Sequence, residues 1–420
     1  MQFINSYKPL QTSKPKIKKT IVILFILFLI LFPKANQSSL QNTLNYGDFK
    51  DFDNLRVLID RINPYNTNLI LKGANISLRY STYQFPSIYQ GGFYLSNQLT
   101  ILNLNPVLKF YYDNNDSQMN EVSDFKDIMI LSTNYLEYKD RKYRGKFFIV
   151  NKNNEYYLIN LVSMSDYLRS VVPSEMPVSW DIEALKAQAI IARTYAIRVA
   201  LERRKKNEVF DLYSTVMDQA YYGVDKENPR TNIAVQQTDN LIVVYEGYPI
   251  WALYHSNCGG QTLDGRLVFP TRLNKNENYL TSVKCLYQGK EWENKVETYS
   301  LKKAIEKLTK TRVYSIDNIY TNNFRTYIVY NGGVIYSLYN WEVRKFLGYS
   351  VVKSPYLKEI KIQDGYVNFK GIGLGHGVGL CQFGANVLAK NGFKCEEIIK
   401  YYYKGVEIVD KDRWLKNANI

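Results

Sequence analysis

Residues 173–204 read PSEMPVSWDIEALKAQAIIARTYAIRVALERR, a pattern that predicts one long helix entered through a rigid turn. Over residues 181–204, apolar side chains recur at spacings of three and four, which is typical of one helix face. Alanine is frequent on that face, so a neighbouring backbone can come close, and the helix is expected to lie deep in the domain. Ser179 is predicted to cap its N-terminus. The basic residues at its other end complement the helix dipole.

On either side of this helix, the sequence alternates short apolar runs with polar turns. Two runs, 147–150 and 156–161, flank a polar turn and are typical of a hairpin. Strand-like runs dominate 205–300 and 311–370, and residues 40–135 read as a strand-rich accessory region. Further helices are predicted at 301–308, 382–390 and 396–403. The predicted class is α+β, with one long buried Ala-rich helix, strand-rich segments and C-terminal helices.

The N-terminal region resembles a targeting segment. Residues 21–32 form a wholly apolar run of twelve after a lysine-rich stretch, short of the roughly 18 to 20 residues that span a bilayer. This is typical of a signal-peptide core. Residues 33–38 lack a clean small-x-small cleavage pattern, so residues 1–35 are either a cleaved signal peptide or an anchor held in the inner membrane by 21–32. The chain is therefore expected in the periplasm or the cell wall.

The composition of the chain favours some classes of binding partner and excludes others. The chain carries 54 Lys and Arg against 39 Asp and Glu, a net charge of +15. Six of those positive charges lie in residues 1–34, which leaves +9 on the remainder, an excess that suits an anionic polymer. No nucleic-acid-binding motif accompanies the charge, so nucleic acid is not an expected partner. Four cysteines and two histidines exclude a disulfide scaffold and a multi-histidine metal cage.

Glu175 is the first candidate for chemistry. It lies between Pro173 and Pro177, whose fixed φ angles restrict the backbone around it. Its near neighbours Val171, Val172, Met176 and Val178 are apolar. Partial desolvation would raise the pKa of its carboxyl toward that of a general acid. From spacing alone, a helix-capping or surface glutamate is the alternative.

A second segment, residues 371–382, reads GIGLGHGVGLCQ and has glycine at every second position up to Gly379. Such a backbone permits close approach by a ligand or another part of the chain. The segment lacks the Lys-Ser/Thr of a phosphate-binding loop and the context of a dinucleotide fingerprint. It contains His376, one of only two histidines.

The third segment, residues 254–260, reads YHSNCGG and contains the other histidine, His255, beside Ser256. A histidine next to a serine can indicate a nucleophile and its base. Adjacent residues of a strand point to opposite faces, however, and no G-x-S-x-G elbow is present. A serine hydrolase is therefore not expected.

Taken together and in this order, the three segments resemble the stage II sporulation protein D and amidase enhancer family of bacterial cell-wall proteins. The resemblance covers roughly residues 140–410 and includes the helix segments 183–189 and 192–196, together with 228–232, 346–348 and 402–405. It implies a catalytic domain over 136–412 with a tail at 413–420. It also implies a lytic transglycosylase that acts on peptidoglycan glycan strands stripped of stem peptides, with Glu175 as the catalytic acid and no cofactor.

One carboxylate suffices for that reaction. Ordinary glycosidases use two because water or an enzyme nucleophile must be handled on the far side of the sugar. A lytic transglycosylase uses the C6 hydroxyl of its own substrate, so one glutamate can protonate the leaving oxygen and then accept the hydroxyl proton. The candidates for binding sugar hydroxyls or orienting Glu175 are Arg193, Tyr195, His255, Ser256, His376 and Gln382. For Arg193, a structural hydrogen bond to loop carbonyls is an equal alternative.

The sequence departs from the family at its cysteines. Sporulation members bind zinc through a Cys and His cluster just before the position of Gln219, whereas residues 213–218 here read YSTVMD. Cys258 and Cys381 stand where the family usually has small residues. With His255 and His376 they could form a tetrahedral metal site, but a Cys258–Cys381 disulfide or two unpaired thiols requires fewer coincidences. The prediction is therefore no metal.

The competing functional hypothesis is a glycan-binding protein without catalytic activity. The second name of the family implies such a role, the activation of a separate cell-wall amidase. Basic charge fits both hypotheses, because both require an anionic wall polymer as partner.

Overall fold

The computed structural model describes residues 51–417 except 66–67, 83–89, 94–95, 106, 113–118, 124, 271–272, 274–276 and 323. The predicted leader at 1–35 and its apolar run at 21–32 lie outside the described residues. Among the helices of the described part, none is long and apolar enough to cross a membrane.

The largest sheet has seven strands in the order β13-β1-β12-β11-β8-β3-β4. Its strands are β1 (Asn54–Ile62), β3 (Ser77–Thr82), β4 (Gln90–Phe93), β8 (Phe125–Leu131), β11 (Lys146–Lys152), β12 (Glu155–Ser163) and β13 (Leu212–Tyr213). The predicted hairpin is β11 and β12, which pair antiparallel from Lys146↔Leu161 to Lys152↔Glu155. Strands on both sides of residue 135 share this sheet, since β12 also pairs with β1. The predicted domain boundary at 135 and 136 stays a prediction.

A second sheet of six strands in the order β10-β9-β2-β5-β6-β7 completes the strand-rich N-terminal part. Its strands are β2 (Leu69–Gly73), β5 (Gln98–Asn103), β6 (Leu108–Tyr112), β7 (Asn120–Val122), β9 (Leu136–Tyr138) and β10 (Arg141–Tyr143). In β6 the residues alternate between buried and partly exposed, as expected when one face of a sheet packs on a core.

Nine α-helices are described. They are α1 (Met164–Glu175), α2 (Ile182–Lys205), α3 (Pro229–Gln237), α4 (Gly265–Val268), α5 (Thr298–Thr309), α6 (Asn340–Leu347), α7 (Gln382–Lys390), α8 (Cys395–Tyr402) and α9 (Lys411–Asn417). The long predicted helix is α2, which is buried along most of its length. Its predicted cap at Ser179 is wrong, because Asp181 caps it by accepting from the Glu183 N–H at 2.9 Å.

The sequence did not predict α1. Pro173 lies inside this helix and Glu175 is its last residue, so Glu175 is held by a helix end and not by an irregular turn between prolines. A proline removes one backbone donor from a helix. The loss is tolerated here because the helix ends two residues later, where the Met176 N–H caps the Val172 carbonyl at 3.0 Å.

The remaining strands form small sheets. One comprises β14 (Leu241–Tyr245), β15 (Tyr248–Pro249) and β24 (Glu407–Asp410), and another comprises β17 (Glu291–Glu297), β21 (Leu357–Gln363) and β22 (Tyr366–Ile372). A third comprises β18 (Ile316–Asn322), β19 (Arg325–Tyr330) and β20 (Val334–Tyr339). The last is a two-stranded parallel ribbon of β16 (Tyr254–His255) and β23 (Leu380–Cys381), here called the central ribbon.

Within the described part of the chain, two separate hydrophobic cores support these elements. The main core surrounds α2 and runs from the N-terminal sheets to α9. The smaller core lies between Trp292 and Phe369, under α5, α6 and the two three-stranded sheets of that region. The α+β class is confirmed. The helices at 301–308, 382–390 and 396–403 are found as α5, α7 and α8, with shifts of one to three residues at the ends of α5 and α8.

Candidate active site

Glu175 lies at the meeting point of three distant segments. Its Oε1 accepts a hydrogen bond from the Ala220 backbone N–H at 3.0 Å. The side chains of Tyr254 and Gln382 also hydrogen bond to its carboxyl group. The residue ends α1, Tyr254 lies in β16, and Gln382 opens α7. The three sequence segments with candidate chemistry therefore converge on one carboxyl group.

The electrostatics of this carboxyl differ from those of an ordinary surface glutamate. Burial raises the pKa of Glu175, and the three hydrogen bonds from Ala220, Tyr254 and Gln382 offset only part of that increase. All three donors are neutral groups, so within the described residues no cation contributes to the shift. A carboxyl in such surroundings keeps its proton to higher pH and can act as an acid.

A chain of neutral hydrogen bonds continues behind Glu175. The Tyr167 hydroxyl donates to Gln219 Oε1 at 3.1 Å, and Gln219 Nε2 donates to the Tyr254 hydroxyl at 3.1 Å. The hydroxyl of Tyr254 in turn reaches Glu175. Tyr254 and Gln219 were not predicted as functional residues. The available signal was their position, since Tyr254 directly precedes His255 and Gln219 directly precedes Ala220.

Gln382 hydrogen bonds to the long helix α2 as well as to Glu175. Its Nε2 donates to Gln188 Oε1 at 3.3 Å. Gln188 lies on α2 and is fully buried. This contact fixes the amide of Gln382 beside the carboxyl, because α2 is buried along most of its length.

The central ribbon carries different chemistry on its two faces. Tyr254 pairs with Leu380, and His255 pairs with Cys381. Successive residues of a strand point to opposite faces, so Tyr254 faces Glu175 while His255 and Cys381 face away. Gly379 makes this pairing possible. Its φ is +71°, and a Cβ there would lie 1.9 Å from the Leu253 carbonyl oxygen.

The chain is similar in sequence to proteins of one known family. The sequence model of the Stage II sporulation protein family matches residues 152–245. An uncharacterized protein of Brachyspira hyodysenteriae is 32% identical over 70% of this chain and 80% of its own length. Stage II sporulation protein D of Bacillus amyloliquefaciens is 31% identical over 60% of this chain and 76% of its own length. The chain belongs to the stage II sporulation protein D family.

A further relative of this family is the Amidase enhancer of Bacillus subtilis, which is 28% identical over 57% of the chain. The match covers 40% of that longer protein. The family membership and these names support a role connected with the cell wall.

The other candidate residues predicted from the sequence make contacts elsewhere in the protein. Arg193 is buried, and its guanidinium donates to the Leu241 carbonyl at 3.0 Å and the Val235 carbonyl at 3.5 Å. These are structural bonds of the kind weighed above as the alternative to substrate contact. The Tyr195 hydroxyl donates to Asp218 Oδ1 at 3.2 Å. The Ser256 carbonyl accepts from the Phe383 N–H at 3.1 Å.

The two histidines lie side by side, with ring centroids 5.4 Å apart. His255 is buried, and its Nδ1 lies 3.0 Å from the Val378 carbonyl oxygen, so Nδ1 carries the proton. Burial lowers the pKa of His255 to about 4, which keeps its ring neutral at neutral pH. His376 is partly buried, and its Nδ1 accepts from the Val378 N–H at 3.1 Å. Their contact with substrate stays a prediction.

A row of aromatic side chains flanks Gln382. The Trp180 ring lies 4.8 Å from that of Phe383, and Tyr287 stacks on Phe383 at 4.7 Å. All three rings are partly exposed. Such flat, half-exposed surfaces suit the apolar faces of sugars.

The family's zinc-binding segment is replaced here by a turn without zinc ligands of the usual kind. Residues 213–218 contain no cysteine or histidine. Asp218 pairs with Arg203 at 2.6 Å and also accepts from the Tyr213 N–H at 2.8 Å. These contacts leave that turn without a donor set for zinc.

All four cysteines are free in the structure. Cys258, Cys285 and Cys381 are fully buried, and Cys395 is partly buried. The disulfide between Cys258 and Cys381, one of three possibilities left open by the sequence, is not formed. Cys285 lies beside the two predicted cysteines, Cys258 and Cys381. No motif around Cys285 predicts this position.

Proposed function

We propose that this protein is a peptidoglycan lytic transglycosylase. It would cleave the MurNAc-GlcNAc bond of peptide-free glycan strands and leave 1,6-anhydro-MurNAc ends, with Glu175 as the single general acid and base. The observation that carries the proposal is the environment of Glu175, a carboxyl with a raised pKa and three neutral hydrogen-bond donors. Membership of the stage II sporulation protein D family supports a substrate in the cell wall.

The first step requires a proton on Glu175. Because burial raises its pKa, a larger fraction of the carboxyl is protonated near neutral pH than for an exposed glutamate. Its proton passes to the glycosidic oxygen as the bond to C1 of MurNAc breaks. The leaving GlcNAc then departs as a neutral alcohol.

The second step requires a base in the same place. The Glu175 carboxylate left by the first step accepts the proton of the MurNAc C6 hydroxyl as that oxygen bonds to C1. Hydrogen bonds from Ala220, Tyr254 and Gln382 stabilise this anion. The glutamate ends protonated again, so atoms and charge balance without water.

The neighbouring carboxylate, Asp218, is poorly suited to a second catalytic role. It accepts from Arg203 at 2.6 Å, from the Tyr213 N–H and from the Tyr195 hydroxyl. Both of its carboxylate oxygens are therefore already engaged by donors of the protein. A mechanism with one carboxylate fits these contacts better than one with two.

The test is digestion of purified, peptide-free glycan strands with the full-length protein, followed by mass spectrometry of the products. Anhydro-muramyl ends are expected with the wild type. Glu175→Gln should reduce their rate of formation by about 10²–10⁴-fold, the usual contribution of a general acid. Products that persist undiminished with Glu175→Gln would contradict the assignment.

Glu202→Gln is the matched control. Glu202 lies near the C-terminal end of α2, where its carboxylate pairs with Arg198 at 3.5 Å. This variant makes the same chemical change away from Glu175 and should retain wild-type activity. Equal losses in both variants would indicate a general effect of the substitution on folding.

The alternative is a glycan-binding activator of a cell-wall amidase without catalytic activity. It is supported by the relative named Amidase enhancer. It predicts that the protein sediments with glycan strands and stimulates an amidase while forming no anhydro-muramyl product. Either function would place the protein in the periplasm or the wall, which cell fractionation with and without residues 1–35 would test.

A further inference from the structure

The buried thiols behind the central ribbon form a compact group with one histidine. The candidate ligand atoms of His255, Cys258 and Cys381 lie within 4.8 Å of one another. Cys285 hydrogen bonds to the thiols of both Cys258 and Cys381. Four soft or borderline donors, three sulfurs and one imidazole nitrogen, therefore meet in one pocket.

The imidazole of His255 is already oriented as a ligand. Its Nδ1–H donates to the Val378 carbonyl at 3.0 Å, so the lone pair of the neutral ring lies on Nε2. That Nε2 is buried and has no hydrogen-bond partner within the described residues. His255 as a whole is only 4% exposed. A second hydrogen bond that fixes the tautomer and orientation is the usual arrangement for metal-bound histidines.

Each of the three sulfurs accepts a hydrogen bond from a nearby backbone N–H. Cys258 accepts a hydrogen bond from the Gly260 N–H, and Cys285 accepts one from the Tyr287 N–H. Cys381 caps the N-terminus of α7 and accepts from the Gly384 N–H at 3.3 Å. Outer hydrogen bonds of this kind usually orient the ligands of a protein-bound metal.

Thiols alone do not give every polar atom of this cluster a hydrogen-bond partner. A disulfide between any two of the three would still leave the His255 Nε2 without a partner among the described residues. If Cys285 is the thiol that stays reduced, it keeps only the Tyr402 hydroxyl, 3.3 Å from its sulfur. Three uncharged thiols would leave the backbone N–H groups with weak acceptors. A divalent thiophilic cation satisfies all four donors at once.

We propose that His255, Cys258, Cys285 and Cys381 form a tetrahedral zinc site on the reverse face of the central ribbon. Zinc accepts three thiolates and one imidazole at about 2.3 and 2.0–2.1 Å, which puts the ligand atoms about 3.5–3.8 Å apart. The ligand atoms of His255, Cys258 and Cys381 lie within 4.8 Å of one another, so these three pairs need to close by at most about 1.0–1.3 Å. Cys285 lies close enough to hydrogen bond to both of the other thiols. The site uses Cys285 in place of His376, whose Nδ1 already accepts from the Val378 N–H.

The proposed metal would act on the active site through the backbone. It would join β16, which carries Tyr254, to β23, which leads into Gln382, and both of these residues hydrogen bond to Glu175. With four protein ligands and no open position, its role is structural. The inference does not depend on the proposed reaction, because an amidase activator with the same fold would contain the same site.

The test begins with metal analysis of the full-length protein purified without chelator. We expect about one zinc per chain, with X-ray absorption showing three sulfur neighbours and one nitrogen neighbour. A metal-free protein with a disulfide between two of the three cysteines would overturn the proposal. So would zinc bound by fewer than three sulfurs.

Substitutions locate the site. Cys258→Ser, Cys285→Ser and Cys381→Ser should each weaken zinc binding at least ~100-fold, measured by competition with a chromophoric chelator. Cys395→Ser is the matched control, because Cys395 lies outside the cluster at the start of α8, and it should bind zinc as the wild type does. Undiminished zinc binding in the three cluster variants would overturn the proposal. The absorption spectrum of the wild type decides the question even where a variant fails to fold.

Discussion

Two carboxyl groups beside the main core, those of Asp211 and Glu175, differ in their charged partners as well as in their burial, because Glu175 is partly exposed. Asp211 is fully buried and pairs with Arg56 at 2.6 Å and with Arg204 at 2.7 Å. Burial alone would raise the pKa of Asp211, but these arginines outweigh it and hold the pKa at about 2. Burial also raises the pKa of Glu175, and there only neutral donors oppose it. Asp211 is therefore ionised at neutral pH, whereas Glu175 is able to hold a proton.

This difference distinguishes a carboxylate that stabilises the fold from a carboxyl that can take part in a reaction. Asp211 joins the strand that holds Arg56 to the end of the helix that holds Arg204, and the Arg56 N–H also donates to it at 3.0 Å. Two cations make this anion a fixed cross-link. Glu175 has no such cation among the described groups that shift its pKa, so its charge can change during a reaction. Burial raises the pKa of both groups, so the opposite directions of their pKa shifts come from their partners.

The largest effect that this comparison predicts is on stability. Asp211→Asn would leave the buried charges of Arg56 and Arg204 without an anion. Removal of one partner of a buried ion pair usually costs about 3–5 kcal/mol. We expect a loss of that size in the free energy of unfolding, measured by urea denaturation at pH 7.

Glu175→Gln is the matched variant for this measurement. It removes a carboxyl that has no cation partner among the described residues, so the free energy of unfolding should stay at or above that of the wild type. The comparison fails if Glu175→Gln destabilises the protein as much as Asp211→Asn does.

The second effect is a loss of stability in acid. A carboxyl whose pKa is lower in the folded protein contributes stability above its unfolded pKa and loses it as the pH falls. For Asp211 the pKa is about 2 in the folded protein against 3.8 for the free group, so the loss runs from about pH 4 down to about pH 2. The expected loss is on the order of 2 kcal/mol.

Denaturation of the wild type and of Asp211→Asn across this pH range provides the measurement. The difference in stability between them should shrink as the pH falls toward 2. A difference that stays constant with pH would show that the charge of Asp211 is not the source of its contribution.

Local patterns in the sequence predicted much of this fold. The α+β class, the hairpin of β11 and β12, the long helix α2 and the bounds of α7 follow from periodicity and turn residues. The helix α1 was missed because Pro173 inside it reads as a breaker. Glu175 could be singled out from its neighbours, since they are apolar in the sequence as in the fold.

The rest of the site depends on contacts between distant residues. Tyr254 and Gln382 meet Glu175 only because β16 pairs with β23, more than a hundred residues away, in one register. No local pattern specifies that register, and none surrounds Cys285. A raised pKa does not by itself identify a catalytic carboxyl, because burial also raises the pKa of Asp127, in the strand β8, to about 7.

The smallest expected effect concerns the donors to Glu175. The hydroxyl of Tyr254 hydrogen bonds to the Glu175 carboxyl and opposes the increase in its pKa. Tyr254→Phe removes this donor, so the pKa of Glu175 should rise further. A hydrogen bond to a carboxylate contributes about 1.5 kcal/mol, which corresponds to about one pH unit.

Because the first step of the proposed reaction uses protonated Glu175, the rate falls as the pH passes above its pKa. In Tyr254→Phe, the alkaline limb of kcat/KM against pH should therefore move up by about one unit. Tyr221→Phe is the control, because the Tyr221 hydroxyl donates to Asn160 at 2.8 Å and not to Glu175. If both variants leave the limb in place, or both move it equally, neutral donors do not set the pKa of Glu175, and the contrast with Asp211 must have another cause.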